Sequence, residues 1–176
     1  MKKVLVTGGA GFVGYALSLG LLKRGYNVDV IDNLSIGNEA NISPFVNFLG
    51  GDIRGMDNIK DTPYDYIFHL AALSRIQPSF KSPYTTFSVN VDGTQNLLEA
   101  ISTHAPESLF INASSTEVYD ASSGVITEQS LLAPRSPYAE SKALAYQAVI
   151  DSRAKGLSTT NAVLSNHESY LRSSDF

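Results

Sequence analysis

Two groups of residues in this sequence have the types and the spacing that chemistry requires. The first is TGGAGFVG, Thr7 to Gly14, which places four glycines within seven residues. Glycine is the residue most costly to order, so such a run needs a reason in backbone geometry. Gly9, Gly11 and Gly14 satisfy a G-x-G-x-x-G spacing, and an acidic residue, Asp32, follows about twenty residues on. Without Cβ atoms a turn can tighten, a pyrophosphate can approach the backbone amides at a helix N-terminus, and the helix can lie close to its strand. Asp32 can accept hydrogen bonds from both hydroxyls of a ribose, and its charge repels a 2′-phosphate, which favours NAD over NADP. The plain alternative is a tight turn with a solvated aspartate.

The second group is YAESK, with Tyr138 and Lys142 four residues apart. On a helix that spacing puts both side chains on one face, where the ammonium favours the ionised phenol. A tyrosine with a lowered pKa is a candidate general base. Upstream, Ser114 and Ser115 lie in ASST, and a serine there can orient a substrate hydroxyl that Tyr138 deprotonates. A surface Tyr–Lys pair and a serine capping a turn are the structural alternatives.

These residues need a frame, and the chain has one rhythm: a short β-rich apolar run, a polar turn, then a stretch of helical spacing. The apolar runs are KKVLVT, NVDVID, VNFLG, YDYIFHLA, SLFINAS and TTNAVLS. Six strands alternating with helices predict an α/β fold of the Rossmann type, a doubly wound parallel sheet with helices on both faces. The helices are clearest over 14–25, where Leu17, Leu21 and Leu22 share a face, and over 85–102. The glycine run then joins the first strand to the first helix, Asp32 ends the second strand, and Ser114 and Ser115 follow the fifth at the edge where open α/β sheets bind ligands. The stretch YDASSGVITEQSLLAPRSP is too polar and too rich in Ser and Pro for regular structure and reads as a functional loop.

Composition narrows the function. At 176 residues and 43% hydrophobic, with no run long enough to cross a bilayer, the expectation is one soluble domain. The opening MKKVLV leads into the glycines without the features of a secretion signal. The absence of cysteine excludes disulfides, thiolate metal sites and a cysteine nucleophile, and points to the cytoplasm. A net charge of −4 without a basic cluster argues against nucleic acid as a partner.

TGGAGFVG, Asp32 in VIDNLS, Asp52 in GGDI, HLAAL, Asn90 in VNVDGT, SSTEVY and YAESK together resemble the extended short-chain dehydrogenase/reductase family, in order and across the whole chain. The resemblance implies a Rossmann-fold nucleotide-sugar epimerase, dehydratase or decarboxylase that holds NAD. It implies Ser115, Tyr138 and Lys142 as a catalytic triad, with Tyr138 taking the proton of a sugar 4-hydroxyl as carbon 4 gives hydride to the nicotinamide. Gly8, Gly11 and Gly14 would bind pyrophosphate with Phe12 and Val13 beside them, Gly8 being the family's first glycine although Gly9 fits the generic spacing. Asp32 and Asn33 would hold the adenosine ribose, and Asp52 and Ile53 would flank adenine. Leu70, Ala71, Ala72 and Asn90 would line the cofactor's inner half, and Lys142 would hold the nicotinamide ribose. Ser115 and Thr116 would face the sugar. Glu117 matches the glutamate of 4,6-dehydratases, where a carboxylate abstracts the carbon 5 proton; a glutamate that only caps the next turn is the alternative.

A local resemblance points the same way. NHES, Asn166 to Ser169, is similar to a segment of GDP-mannose 4,6-dehydratases in which the asparagine contacts substrate. The first half, GGAGFVG to DNLSIGN, looks more like an NAD-dependent epimerase, and Asp120 replaces the glycine that usually follows the tyrosine of SSTEVY. The expected partners are a GDP- or UDP-linked sugar and a second copy of the chain in a homodimer built through helices starting near Tyr84 and Tyr138. Family members run longer, so the domain expectation is a single NAD-binding Rossmann domain over 1–176 with the substrate lobe largely absent. The alternative function is a truncated dinucleotide-binding module without turnover of its own. His69 is expected to be a packed core histidine, His104 needs no role, and His167 has no metal-spaced partner, so no metal is predicted. Phe80, Pro83 and Tyr84 are expected to line the mouth of the site or to begin the next helix, and Arg75 to meet substrate or solvent.

Overall fold

A computed structural model describes residues 1–55, 62–122, 124–169 and 171–172. Six strands, β1 (Lys3–Thr7), β2 (Asn27–Ile31), β3 (Asn47–Phe48), β4 (Tyr66–His69), β5 (Leu109–Ser115) and β6 (Thr159–Leu164), form one parallel sheet in the order β3-β2-β1-β4-β5-β6. Each predicted apolar run carries one of them. The sequence winds outward from β1 in both directions, which places a topological switch between β1 and β4.

Alternation along the strands explains why both faces are apolar. Val4, Val6, Val28 and Val30 pack under helix α1 (Phe12–Lys23) with Leu17 and Leu21. Leu5, Ile31, Ile67 and Phe110 pack on the other face with Leu97 and Ile101 of α4 (Gly93–His104) and Val149 of α5 (Pro137–Ala154). Two short helices, α2 (Ile76–Lys81) and α3 (Pro83–Phe87), precede α4. Pro83 opens α3, and Tyr84 follows it, so both begin a helix as expected. Phe80 lies in α2 and is exposed.

The helix predicted over 85–102 is present, but it is not α-helical throughout. Between α3 and α4 the chain takes a π-helical turn over Ser88–Asp92. The buried amide of Asn90 in this turn has three partners: its oxygen accepts from Leu73 N (2.8 Å), and its nitrogen donates to Leu73 O (3.0 Å) and to the Ser141 hydroxyl (2.9 Å). One side chain thus ties the loop after β4 to α5. The stretch over 119–137 is irregular as expected, with Ser123 outside the described residues. Among the described residues an antiparallel bridge, Tyr119 to Leu132, closes it.

A second feature crosses the sheet. Thr7, His69, Asn112 and Asn161 are register partners on four adjacent strands and form a polar row, buried except at the half-buried Asn161, beyond Leu5, Ile67 and Phe110. Thr7 Oγ1 lies 2.8 Å from His69 Nδ1, and His69 Nε2 lies 3.0 Å from Thr94 Oγ1. Since Thr94 donates its proton to Asn90 O (2.7 Å), it accepts from His69, which fixes the Nε2–H tautomer. Burial and the nearby Lys142 charge push the His69 pKa down to about 3. The neutral, packed, doubly bonded imidazole matches the sequence expectation.

Candidate active site

The C-terminal ends of the strands open into a cleft of about 970 Å³ that brings together most of the predicted residues. At one end β1 runs into the glycine turn. Gly8 has φ +74°, a conformation that L side chains avoid, and a Cβ there would meet Ala71 N at 2.6 Å. A Cβ on Gly14 would meet Gly8 O at 2.2 Å. Gly8, Gly11 and Gly14 line the cleft with Phe12 and Val13, so a ligand can approach the start of α1. Gly9 does not line it. A Cβ on Gly9 would collide with Val30 at 2.4 Å, so Gly9 serves helix-to-sheet packing. Packing accounts for Gly9, and Gly8 is the first glycine of the run that borders the cleft.

Asp32 closes this end. Its carboxylate accepts from Ala10 N (3.0 Å) and Leu34 N (2.8 Å), which ties β2 to the turn while the side chain borders the cleft. Asp52 lies beyond it and is held by Arg54 Nε (2.9 Å), Arg54 Nη2 (2.6 Å) and Asn33 Nδ2 (2.9 Å). The Arg54 guanidinium holds the Asp52 carboxyl far below the usual carboxylate range. Asn33 and Ile53 complete this wall. Nothing in the sequence pattern singled out Arg54 or the packing of Gly37 against Ala10 and the Asp32 carboxylate.

The other end carries groups with reactive hydrogens. Leu70, Ala71 and Ala72 form its floor, and Glu117, Tyr138 and Lys142 converge on it from the turn Thr116–Val118 and the first two turns of α5. The start of α5 is fixed by the Ser136 hydroxyl, which accepts from Ala139 N (3.0 Å), and by Tyr138 N donating to Ser79 Oγ (3.1 Å). Ser115 lies just below the cleft. Its hydroxyl accepts from Glu117 N (3.2 Å) and hydrogen-bonds the Tyr138 phenol, so it supports both. Thr116 is half-buried on the same turn and is not part of the cleft lining. Asn90 is also outside the lining; its amide is engaged by Leu73 and Ser141 and so holds the loop that forms the wall. Asn166 and His167 border the cleft after β6.

Electrostatics differ from the sequence expectation in one respect. The Tyr138 pKa is raised, because burial outweighs the Ser115 hydrogen bond and the Glu117 carboxylate adds to the rise. The predicted lowering is absent from the ligand-free chain. Lys142 is 6% exposed, and burial pushes its ammonium down to about 8. Among the described residues no carboxylate lies within ion-pair distance of it. The phenol and the ammonium are thus both held in forms that a polar or charged ligand would readjust.

The sequence model described as GDP-mannose 4,6 dehydratase matches residues 5–176. The chain belongs to this family. A GDP-mannose 4,6-dehydratase of Yersinia enterocolitica is 33% identical over all of this chain and 52% of its own length. A putative UDP-glucose 4-epimerase of Methanocaldococcus jannaschii is 34% identical over 79% of this chain and 47% of its own length. Among solved structures, the dTDP-glucose 4,6-dehydratase of Streptomyces venezuelae, solved with NAD bound, superimposes with a TM-score of 0.83 at 34% identity, over 92% of this chain and 55% of that one. Family membership accounts for the six-stranded fold and for the order of the motifs. The chain spans about half the length of the curated relatives it matches.

Proposed function

We propose that the chain is the cofactor-binding half of an NAD-dependent nucleotide-sugar epimerase or dehydratase. One observation carries this reading: the glycine turn with Asp32 and the trio Glu117, Tyr138 and Lys142 face a single cleft. The residues fit the cofactor. The glycines form a cradle that a Cβ would fill, and the Asp32 carboxylate stands where a ribose hydroxyl can donate to it and a 2′-phosphate would be repelled. Asp52 and Ile53 would flank the adenine, and Leu70, Ala71 and Ala72 would support the inner half.

NAD, when bound, supplies the hydride acceptor. The chain's own residues handle the proton and the orientation. Tyr138 takes the proton of the sugar 4-hydroxyl, with Ser115 bonded to the same phenol, and Lys142, which lines the same cleft, holds the inner ribose. Because burial raises the Tyr138 pKa and pushes Lys142 down to about 8, activity should rise with pH while the ammonium keeps its charge and fall above about pH 8 as it deprotonates. Glu117 acts on Tyr138 through its charge and so stands on the substrate side, where it can abstract the carbon 5 proton in a dehydratase. Thr116 and Asn166 would meet the sugar nucleotide, GDP- or UDP-linked. A homodimer belongs to the same reading: α3 and α5 pack together and expose Tyr84 (86%) and Leu144 (47%). So does a cytoplasmic location, which the cysteine-free composition supports. Among the described residues no helix is long and apolar enough to cross a membrane.

Binding and turnover are tested separately. Calorimetric titration with NAD and NADP, followed by the 340 nm absorbance on adding UDP- and GDP-hexoses, is run on the chain and on Tyr138→Phe. The expected result is NAD preferred over NADP, hydride transfer by the unmodified chain, and a variant that binds NAD within about twofold but transfers no hydride. NAD binding without transfer by either would establish the dinucleotide-binding module, and failure to bind NAD would overturn the reading of the cleft.

A further inference from the structure

Ser114 and Ser115 are neighbours in sequence with different fates. Ser115 is engaged by Glu117 N and Tyr138. Ser114 is 4% exposed, borders the cleft, and its Oγ finds no hydrogen-bond partner among the described residues. Buried hydroxyls are almost always bonded, so an unbonded one on a residue that borders a cleft asks for an external partner.

The packing of α5 shows what stands opposite. Helix and strands run in opposite directions: Thr159, at the start of β6, donates to Val149 O (2.8 Å), and Asn161 donates to Tyr146 O (3.1 Å). Two further strand residues rise about 6.6 Å, and four helix residues rise about 6 Å. That step brings Lys142 level with Val163, whose register partner on β5 is Ser114. The influence of Lys142 on His69, the register partner of Asn112, agrees with this placement. A free hydroxyl and a buried ammonium therefore stand at one level of the cleft's inner end.

Resting on the reading of the cleft given above, we propose that Ser114 Oγ is a ligand-binding hydroxyl that pairs with one hydroxyl of a polyhydroxylated ring whose neighbouring hydroxyl lies within reach of Lys142. A serine hydroxyl can donate to and accept from such a group, whereas an ammonium can only donate, so the two side chains together match a vicinal diol. Two sources offer that chemistry: the inner ribose of a dinucleotide and the hexose of a sugar nucleotide.

The test uses Ser114→Ala and Ser114→Cys with melting temperature, titration with NAD, AMP and NADP, and titration with UDP- and GDP-hexoses at saturating NAD. The melting temperature of ligand-free Ser114→Ala should be unchanged or higher, because no protein bond is lost. If the ribose is the source, NAD affinity falls about five- to tenfold while AMP affinity is unchanged. If the hexose is the source, NAD affinity is preserved and sugar-nucleotide affinity falls by the same factor. Ser114→Cys should lie between Ala and the unmodified chain in either arm. Unchanged NAD affinity together with unchanged or undetectable sugar-nucleotide binding overturns the assignment. So does a lower melting temperature of Ser114→Ala, which would reveal a structural bond. An unmodified chain that binds neither NAD nor sugar nucleotide overturns the reading of the cleft, and this assignment with it.

Discussion

The two ends of the cleft are built on opposite terms. At the glycine end almost every polar group already has a protein partner: Asp32 is tied to Ala10 and Leu34, and Asp52 to Arg54 and Asn33. At the inner end, among the described residues, Ser114 Oγ has no hydrogen-bond partner and Lys142 is buried without a carboxylate, and burial holds the Tyr138 phenol protonated. On the proposed function, the contrast teaches that shape is made in advance at the end that would hold the cofactor, while unmet charge and hydrogen bonding are kept at the end that would do the chemistry.

If so, substitutions should fail differently at the two ends. The largest effect is expected for Gly14→Ala at the glycine end. Its Cβ would meet Gly8 O at 2.2 Å, which is backbone against backbone and cannot be relieved by a rotamer change. Stability should drop by about 3 kcal/mol and NAD binding should be lost, as read by urea unfolding and calorimetry. A Gly14→Ala chain of normal stability and affinity would break the comparison.

At the inner end Lys142→Met should do the reverse, gaining stability while losing hydride transfer. Lys142 titrates near 8 in the folded chain against 10.5 when unfolded. Between those values the unfolded chain holds more protons, so stability rises with pH across that window and is reduced by a constant amount below it. Lys142→Met should therefore be more stable at pH 7 by about 1–3 kcal/mol and should flatten the slope between pH 8 and 10.5. Equal slopes in the two proteins would show that the ammonium is not desolvated.

The smallest effect sharpens the glycine end. Asp32→Ala removes the charge but not the turn, so the preference for NAD over NADP should narrow by roughly tenfold with little change in melting temperature. An unchanged preference in paired titrations would remove Asp32 from the ribose assignment.

The same contrast explains what was legible in the sequence. Gly8, Gly14 and Asp32 could be read because their role is local: a turn between one strand and one helix, with an acid at the end of the next strand. The inner strands β1, β2, β4 and β5 could be read because each is a short apolar run that contributes to the two core layers, whereas β3 is exposed and β6 mostly half-buried, so those two are read from their β-rich composition and their place in the rhythm. The packing of Gly9 against Val30 was not legible, because spacing alone does not show which glycine lies against the neighbouring strand. Tyr138 and Lys142 were found by their spacing, yet the direction of the Tyr138 shift depends on burial and on Glu117, which arrive from elsewhere in the fold. Asn90 was assigned to the cofactor, whereas its partners Leu73 and Ser141 lie 17 and 51 residues away and no local pattern announces them.

The polar row through Thr7, His69, Asn112 and Asn161 bears on how the sheet chooses its alignment. In a strand with one wet face, sliding by a single residue exposes the apolar set and is penalised at once. Here Val4, Leu5 and Val6 are apolar in succession, so a slipped β1 would still present apolar groups to both layers. A slip would, however, carry Thr7 or His69 to the opposite layer and leave buried donors and acceptors facing hydrocarbon. The row thereby acts as a key for strand alignment, and the accuracy with which the cleft is assembled at the strand ends is inherited from four side chains that never touch it.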